Sequence, residues 1–166
     1  FNINKEDKIG IFEVGMDKKG EIDFLTKKIM PNIGVITNIS YAHIKNFKNL
    51  WGVAQAKSEI INNIAKDGYI ILNADDKFFS FFKSKSIKKK LRIVTFGIKK
   101  KSDVSLINIK KEKSLSVIYI NFNKKKLKFI VKKNLENYIY NILSTLAVIS
   151  IYFDLDKLDK FFFNDY

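Results

Sequence analysis

The side chains able to do chemistry gather in a few short segments of the 166-residue chain. Glu13 interrupts the apolar run KIGIFEVGM (8–16). Asn38 and the only histidine, His43, follow IGVIT within TNISYAHIKNF (37–47), and Asn73, Asp75 and Asp76 close YIILNADD (69–76). If these apolar runs are strands of one parallel sheet, the polar residues lie at its carboxyl edge, where open α/β sheets bind ligands. Each also has a plain reading. Glu13 suits an edge strand, Asn73 and Asp75 suit a turn, and His43 suits a core that satisfies its imidazole. Their convergence on one end of one sheet favours a site.

Lys57 offers a different chemistry. In NLWGVAQAKSEIINNIAKDG (49–68) Leu50, Ala54, Ile61 and Ile64 recur at helical spacing, and Lys57 falls on the same stripe. Burial there disfavours the ammonium and lowers its pKa. A neutral amine can take up carbon dioxide to form a carbamate, an anion able to ligate a hard metal through oxygen. The alternative is a snorkelling lysine, with its stem buried and its charge in water.

The elements that would position these groups alternate. KIGIFEVGM reads as a strand, GEIDFLTKKI (20–29) as a helix stopped by Pro31, and NIGVITNI (32–39) as a second strand. The helix 49–68 ends at Gly68, a natural C-cap. A third strand over 69–76, a helix over 77–87 and a fourth strand, LRIVTFG (91–97), follow. Continuous apolar strands alternating with helices predict a mostly parallel sheet covered by helices on both faces. Beyond Gly97 the pattern changes to short alternating segments, DVSLINIK, SLSVIYINF and KLKFIVKK, expected to form a small antiparallel β meander over 97–132. A last helix over about 135–153 closes the unit.

Composition narrows the class. An apolar content of 46% and an aromatic content of 14% imply a folded core. The absence of cysteine excludes disulfides and thiolate metal sites. The longest apolar segment, IYNILSTLAVISIYF (139–153), is short for a membrane span and broken by Asn141, Ser144 and Thr145, so a cytoplasmic protein without membrane insertion is expected. The charge of +14 invites a nucleic-acid reading, yet all but one of the 31 basic residues are lysine, Arg92 being the exception. Phosphate-clamping surfaces draw on arginine's planar fork, so solvated lysine faces are the better account of the charge and a lysine-rich nucleic-acid module is the rival. No G-x-x-x-x-G-K-[ST] phosphate loop occurs. With Phe1 at its start, the chain reads as an excerpt of a longer protein.

EVGM with GEI downstream, TNI, AH with a phenylalanine after it, AKSEI and NADD follow in order and at close spacing. This series resembles the central domain of the Mur ligases. The GM-x-x-x-GEI continuation favours the branch that adds D-alanyl-D-alanine to UDP-N-acetylmuramoyl-tripeptide, over sibling ligases and folylpolyglutamate synthases. The resemblance is dense over about residues 9–76 and returns around YIYNILSTLAVI. It implies a P-loop-type α/β domain lacking its first strand and phosphate loop, so that 1–166 would be part of the central ATP-binding domain. The N-terminal UDP-substrate domain and the C-terminal domain would lie elsewhere.

The resemblance also implies an ATP- and magnesium-dependent ligase of peptidoglycan synthesis, monomeric, with an acyl-phosphate intermediate. Glu13 and His43 match metal ligands, and Lys57 matches a lysine that is carbamylated in related ligases and helps place magnesium and the acyl phosphate. Asn141 matches an asparagine near the adenine, while Asn38, Asn73, Asp75 and Asp76 border the same cleft. One departure stands out: the family's HN-x-x-N is here NYIYN, with Asn137 and Tyr138 in place of histidine and the first asparagine.

Overall fold

A computed structural model describes residues 6–41, 46–158 and 162–163. Its elements, in chain order, are α1 (Glu21–Ile29), β1 (Ile33–Ile36), α2 (Leu50–Lys57), α3 (Ile60–Asn63), β2 (Tyr69–Asn73), α4 (Phe79–Lys88) and β3 (Arg92–Gly97). Then come β4 (Val104–Lys111), β5 (Leu115–Phe122), β6 (Lys125–Lys132), a 3-10 turn (Lys133–Tyr138), α5 (Ile139–Ile149), a second 3-10 turn (Leu155–Leu158) and β7 (Phe162–Phe163). The strands form one seven-stranded sheet in sequence order. β1 through β4 are parallel, β4–β5 and β5–β6 are antiparallel, and β6–β7 is parallel. The fold is therefore the expected mixed α/β sheet flanked by helices. Its meander is not a separate unit, because β4 continues the sheet through Phe96–Val104 and Gly97–Ser105.

Strand β2 shows why the sheet is covered on both faces. Its side chains alternate outward from the sheet plane. Ile70 and Leu72 enter a core with Ala54, Ile61 and Phe82 on the α2 and α4 side. Ile71 faces the other way, into a core with Phe96, Val104, Ile118, Phe129 and the α5 residues Leu143, Leu146 and Ala147. A strand buried on both sides cannot show polar alternation, which is how YIIL reads.

Three sequence expectations are corrected. The run 8–16 has no regular secondary structure and, among the described residues, belongs to no ladder, so that β1 is the terminal described strand of the sheet on that side. Ile9 and Ile11 are 64% and 94% exposed, while Met16 packs against Val53 and Ala56 of α2. Apolar, β-branched residues favour extended backbone, but a strand needs a partner backbone, and among the described residues none lies beside it. The helix expected over 49–68 is broken: α2 ends at Lys57, α3 covers only Ile60–Asn63, and Gly68 caps neither. Asp67, not Gly68, takes the left-handed conformation, at φ 59°. Gly68 is needed for close approach, since a Cβ there would stand 2.6 Å from Ile64 and 2.7 Å from the Asn32 carbonyl. The last helix begins as a 3-10 turn at 133–138 and is α-helical only over Ile139–Ile149.

Candidate functional site

At the carboxyl edge of β1 the chain leaves the sheet as Thr37-Asn38-Ile39, and its backbone groups need partners away from bulk water. Side chains from two other elements supply them. Asn73 at the end of β2, 7% exposed, donates its amide to the Thr37 carbonyl at 3.0 Å. One oxygen of Asp76 accepts the Ile39 amide at 2.7 Å, and the other accepts the Phe78 amide at 2.7 Å ahead of α4. Lys57, the last residue of α2, donates from Nζ to the Asn38 carbonyl at 3.0 Å. Burial pushes the Lys57 pKa down, and the nearby Asp76 carboxylate partly opposes it. Asn38, Lys57, Asn73 and Asp76 thus meet at one loop, with a half-buried amine among them whose charged form burial penalises.

Asp75 points elsewhere. The Asn73 side-chain oxygen accepts its amide at 2.9 Å, turning the chain so that its carboxylate reaches the loop after β3. There it accepts the amides of Ile98 at 2.6 Å, Lys99 at 3.0 Å and Lys100 at 2.8 Å, and the Tyr140 hydroxyl at 3.1 Å. Burial pushes the Asp75 carboxyl up, but these donors together outweigh it and hold the group below the ordinary carboxylate value.

Among the described residues, Glu13 and Asn141 take no part in these hydrogen bonds. Glu13 lies exposed on the irregular segment ahead of α1. Asn141 sits exposed in the first turn of α5, where its carbonyl accepts the hydroxyls of Ser144 and Thr145. His43 lies outside the described residues. Among the described residues no three His, Cys, Asp or Glu side chains group closely enough to hold a metal ion.

Residues that the sequence reading passed over hold the helices in place. Glu59, 8% exposed, accepts the amides of Gly20 and Asp23 and so caps α1, whose N-terminal residue Gly20 has φ 94° and no side chain of its own to do so. Lys85 of α4 donates to the carbonyl and hydroxyl of Ser58, each at 3.0 Å. Glu59 stands between α2 and α3, in the AKSEI run, the one acidic residue between Asn49 and Lys66. Tyr140 had no signal beyond standing next to Asn141.

A family model described as the Mur ligase middle domain matches residues 1–149. The chain belongs to this family. It is 40% identical over 97 residues to the UDP-N-acetylmuramoyl-tripeptide–D-alanyl-D-alanine ligase of Buchnera aphidicola subsp. Baizongia pistaciae, covering 58% of this chain and 21% of that protein. The crystal structure of MurF from Acinetobacter baumannii matches with a TM-score of 0.84 at 24% identity, over 95% of this chain and 34% of that one. MurF ligase from Thermotoga maritima in complex with ADP matches with a TM-score of 0.66 at 18% identity, over 86% of this chain and 33% of that one. At such identities the structural matches speak for the fold. The chain spans about a fifth of that curated relative and a third of those solved structures. In this Mur ligase domain the altered NYIYN motif falls on the junction between the 3-10 turn and α5.

Proposed function

We propose that this domain is part of the ATP-binding core of a ligase that adds D-alanyl-D-alanine to UDP-N-acetylmuramoyl-tripeptide in peptidoglycan synthesis. The sites for the UDP-linked peptide and the dipeptide lie on other domains of the intact protein. The named relative and the GM-x-x-x-GEI pattern support this branch. The single observation that carries the site is Lys57, a half-buried amine held at 3.0 Å against the Asn38 carbonyl, near the Asp76 carboxylate.

In the reaction, a carboxylate oxygen of the tripeptide attacks the terminal phosphorus of ATP and ADP leaves. The dipeptide amine then attacks the acyl carbon, loses a proton, and inorganic phosphate departs as the amide bond forms. Lys57, as a carbamate, orients the acyl phosphate, and Asn141 approaches the adenine. Asn38, Asn73, Asp75 and Asp76 shape the cleft between them. By the family resemblance Glu13, His43 and a Lys57 carbamate would hold magnesium, as donors of the kind it takes, although the described residues by themselves bring no such set together. Bound there, magnesium would neutralise phosphate charge during transfer.

The test uses the intact protein and measures phosphate release that requires both peptide substrates. Lys57→Ala should be nearly inactive, with partial recovery in millimolar short-chain carboxylate. Depleting dissolved carbon dioxide should slow the wild type, and bicarbonate should restore it. Near-normal activity of Lys57→Arg, which keeps the charge but forms no carbamate, would sink the assignment.

A further inference from the structure

The Asp75 carboxylate is enclosed by donors from two other parts of the chain. The amides of Ile98, Lys99 and Lys100 converge on it from the loop after β3, and the Tyr140 hydroxyl reaches it from the first turn of α5 at 3.1 Å. Gly97 makes room for it, because a Cβ there would stand 3.2 Å from Oδ2 and 3.4 Å from Cγ. Successive backbone amides around one anion form a nest, and here the anion is the chain's own side chain. A carboxylate has about four lone-pair sites, so Asp75 has little capacity left for a nucleotide or a metal.

We propose that Asp75 and Tyr140 are positioning residues for the nucleotide. Through the shared hydrogen bond they lock the first turn of α5, and with it Asn141, to the loop 98–100 and the β2 turn. Asp75 then acts on the cleft through Tyr140 and the loop rather than by touching ATP. The inference rests on the ATP-ligase reading and deepens it.

Tyr140→Phe in the intact protein removes one hydrogen bond and keeps the ring. The KM for ATP should rise at least about tenfold, the lower end of the scale of one lost charge-assisted hydrogen bond. The kcat at saturating ATP and the KM for the dipeptide should stay within about twofold. Gly97→Ala, which crowds the carboxylate without removing a donor, should move the ATP KM in the same direction. A merely structural role would lower the melting temperature and the active fraction while leaving the ATP KM unchanged. If the wild-type protein uses no ATP, the ligase reading falls and this inference with it. If the wild type turns over normally and both variants keep the ATP KM within twofold, this inference alone is overturned.

Discussion

The parallel half of the sheet and its antiparallel half stabilise their connections by different means. After β1 and β2, polar side chains bond to the backbone of loops distant in sequence: Asn73 and Asp76 to 37–39, and Asp75 to 98–100. In the meander the turns are local and solvated. β5 and β6 are joined by Asn123 and Lys124, both exposed and both at positive φ, 51° and 64°. That is the geometry of a type I′ hairpin turn, whose twist matches the flanking strands. Long-range polar contacts there include Glu136, which accepts Ser116 and pairs with Lys111 at 2.7 Å, and the ion pair of Lys125 with Asp156. One half of the sheet thus has loops whose shape depends on distant residues, the condition for building a site. The other half serves as a frame.

The largest contrast should come from comparing a lysine in each half of the intact protein. Lys57→Ala should cut turnover by at least about a hundredfold, as for loss of a group acting on the transition state. Lys126, exposed in the meander with its ammonium 4.6 Å from the Tyr119 ring centre, should tolerate alanine with turnover unchanged within about twofold. Equal losses at both positions would erase the division between site and frame.

Stability should show the reverse. Phe129 is fully buried between the meander and α5, so Phe129→Ala should cost about 3–5 kcal/mol in denaturant unfolding. The ATP KM of the protein that remains folded should hardly change. A large shift in that KM would mean the frame reaches the site directly.

Acid should separate the halves more gently. The folded-state pKa of Asp75 is depressed, so its contribution to stability is fully present above the unfolded carboxylate value, about 3.9, and is lost as pH falls through the folded value. Amides 98–100 should therefore lose hydrogen-exchange protection below about pH 4, while those of Ile118 and Ile120, inside a double ladder, keep theirs. Asp75→Asn should abolish this pH step. The smallest effect is at the hairpin: Lys124→Gly should relieve a left-handed side-chain conformation and raise stability by up to about 1 kcal/mol. A loss of stability there would show that the turn is held by more than local geometry.

Much of the architecture was legible in the residues. The runs at 33–36, 69–73 and 92–97, the helices around Lys57 and Phe82, and the alternation of the meander are local patterns, because burial of a face imposes its period on the chain that forms it. The same holds for the family motifs, which are runs of residue types. What only the tertiary structure decided is which groups meet. The segment 8–16 has strand-like residues but no ladder, because pairing needs a second backbone. Asp75 sits beside Asp76 in NADD, yet one carboxylate binds the 98–100 loop and Tyr140 while the other binds Ile39. Adjacent residues of one type were sent in opposite directions by the turn that Asn73 imposes and by the loops that the sheet order brings alongside. A hydrogen bond across 65 positions, as between Tyr140 and Asp75, leaves no periodicity for a sequence to show.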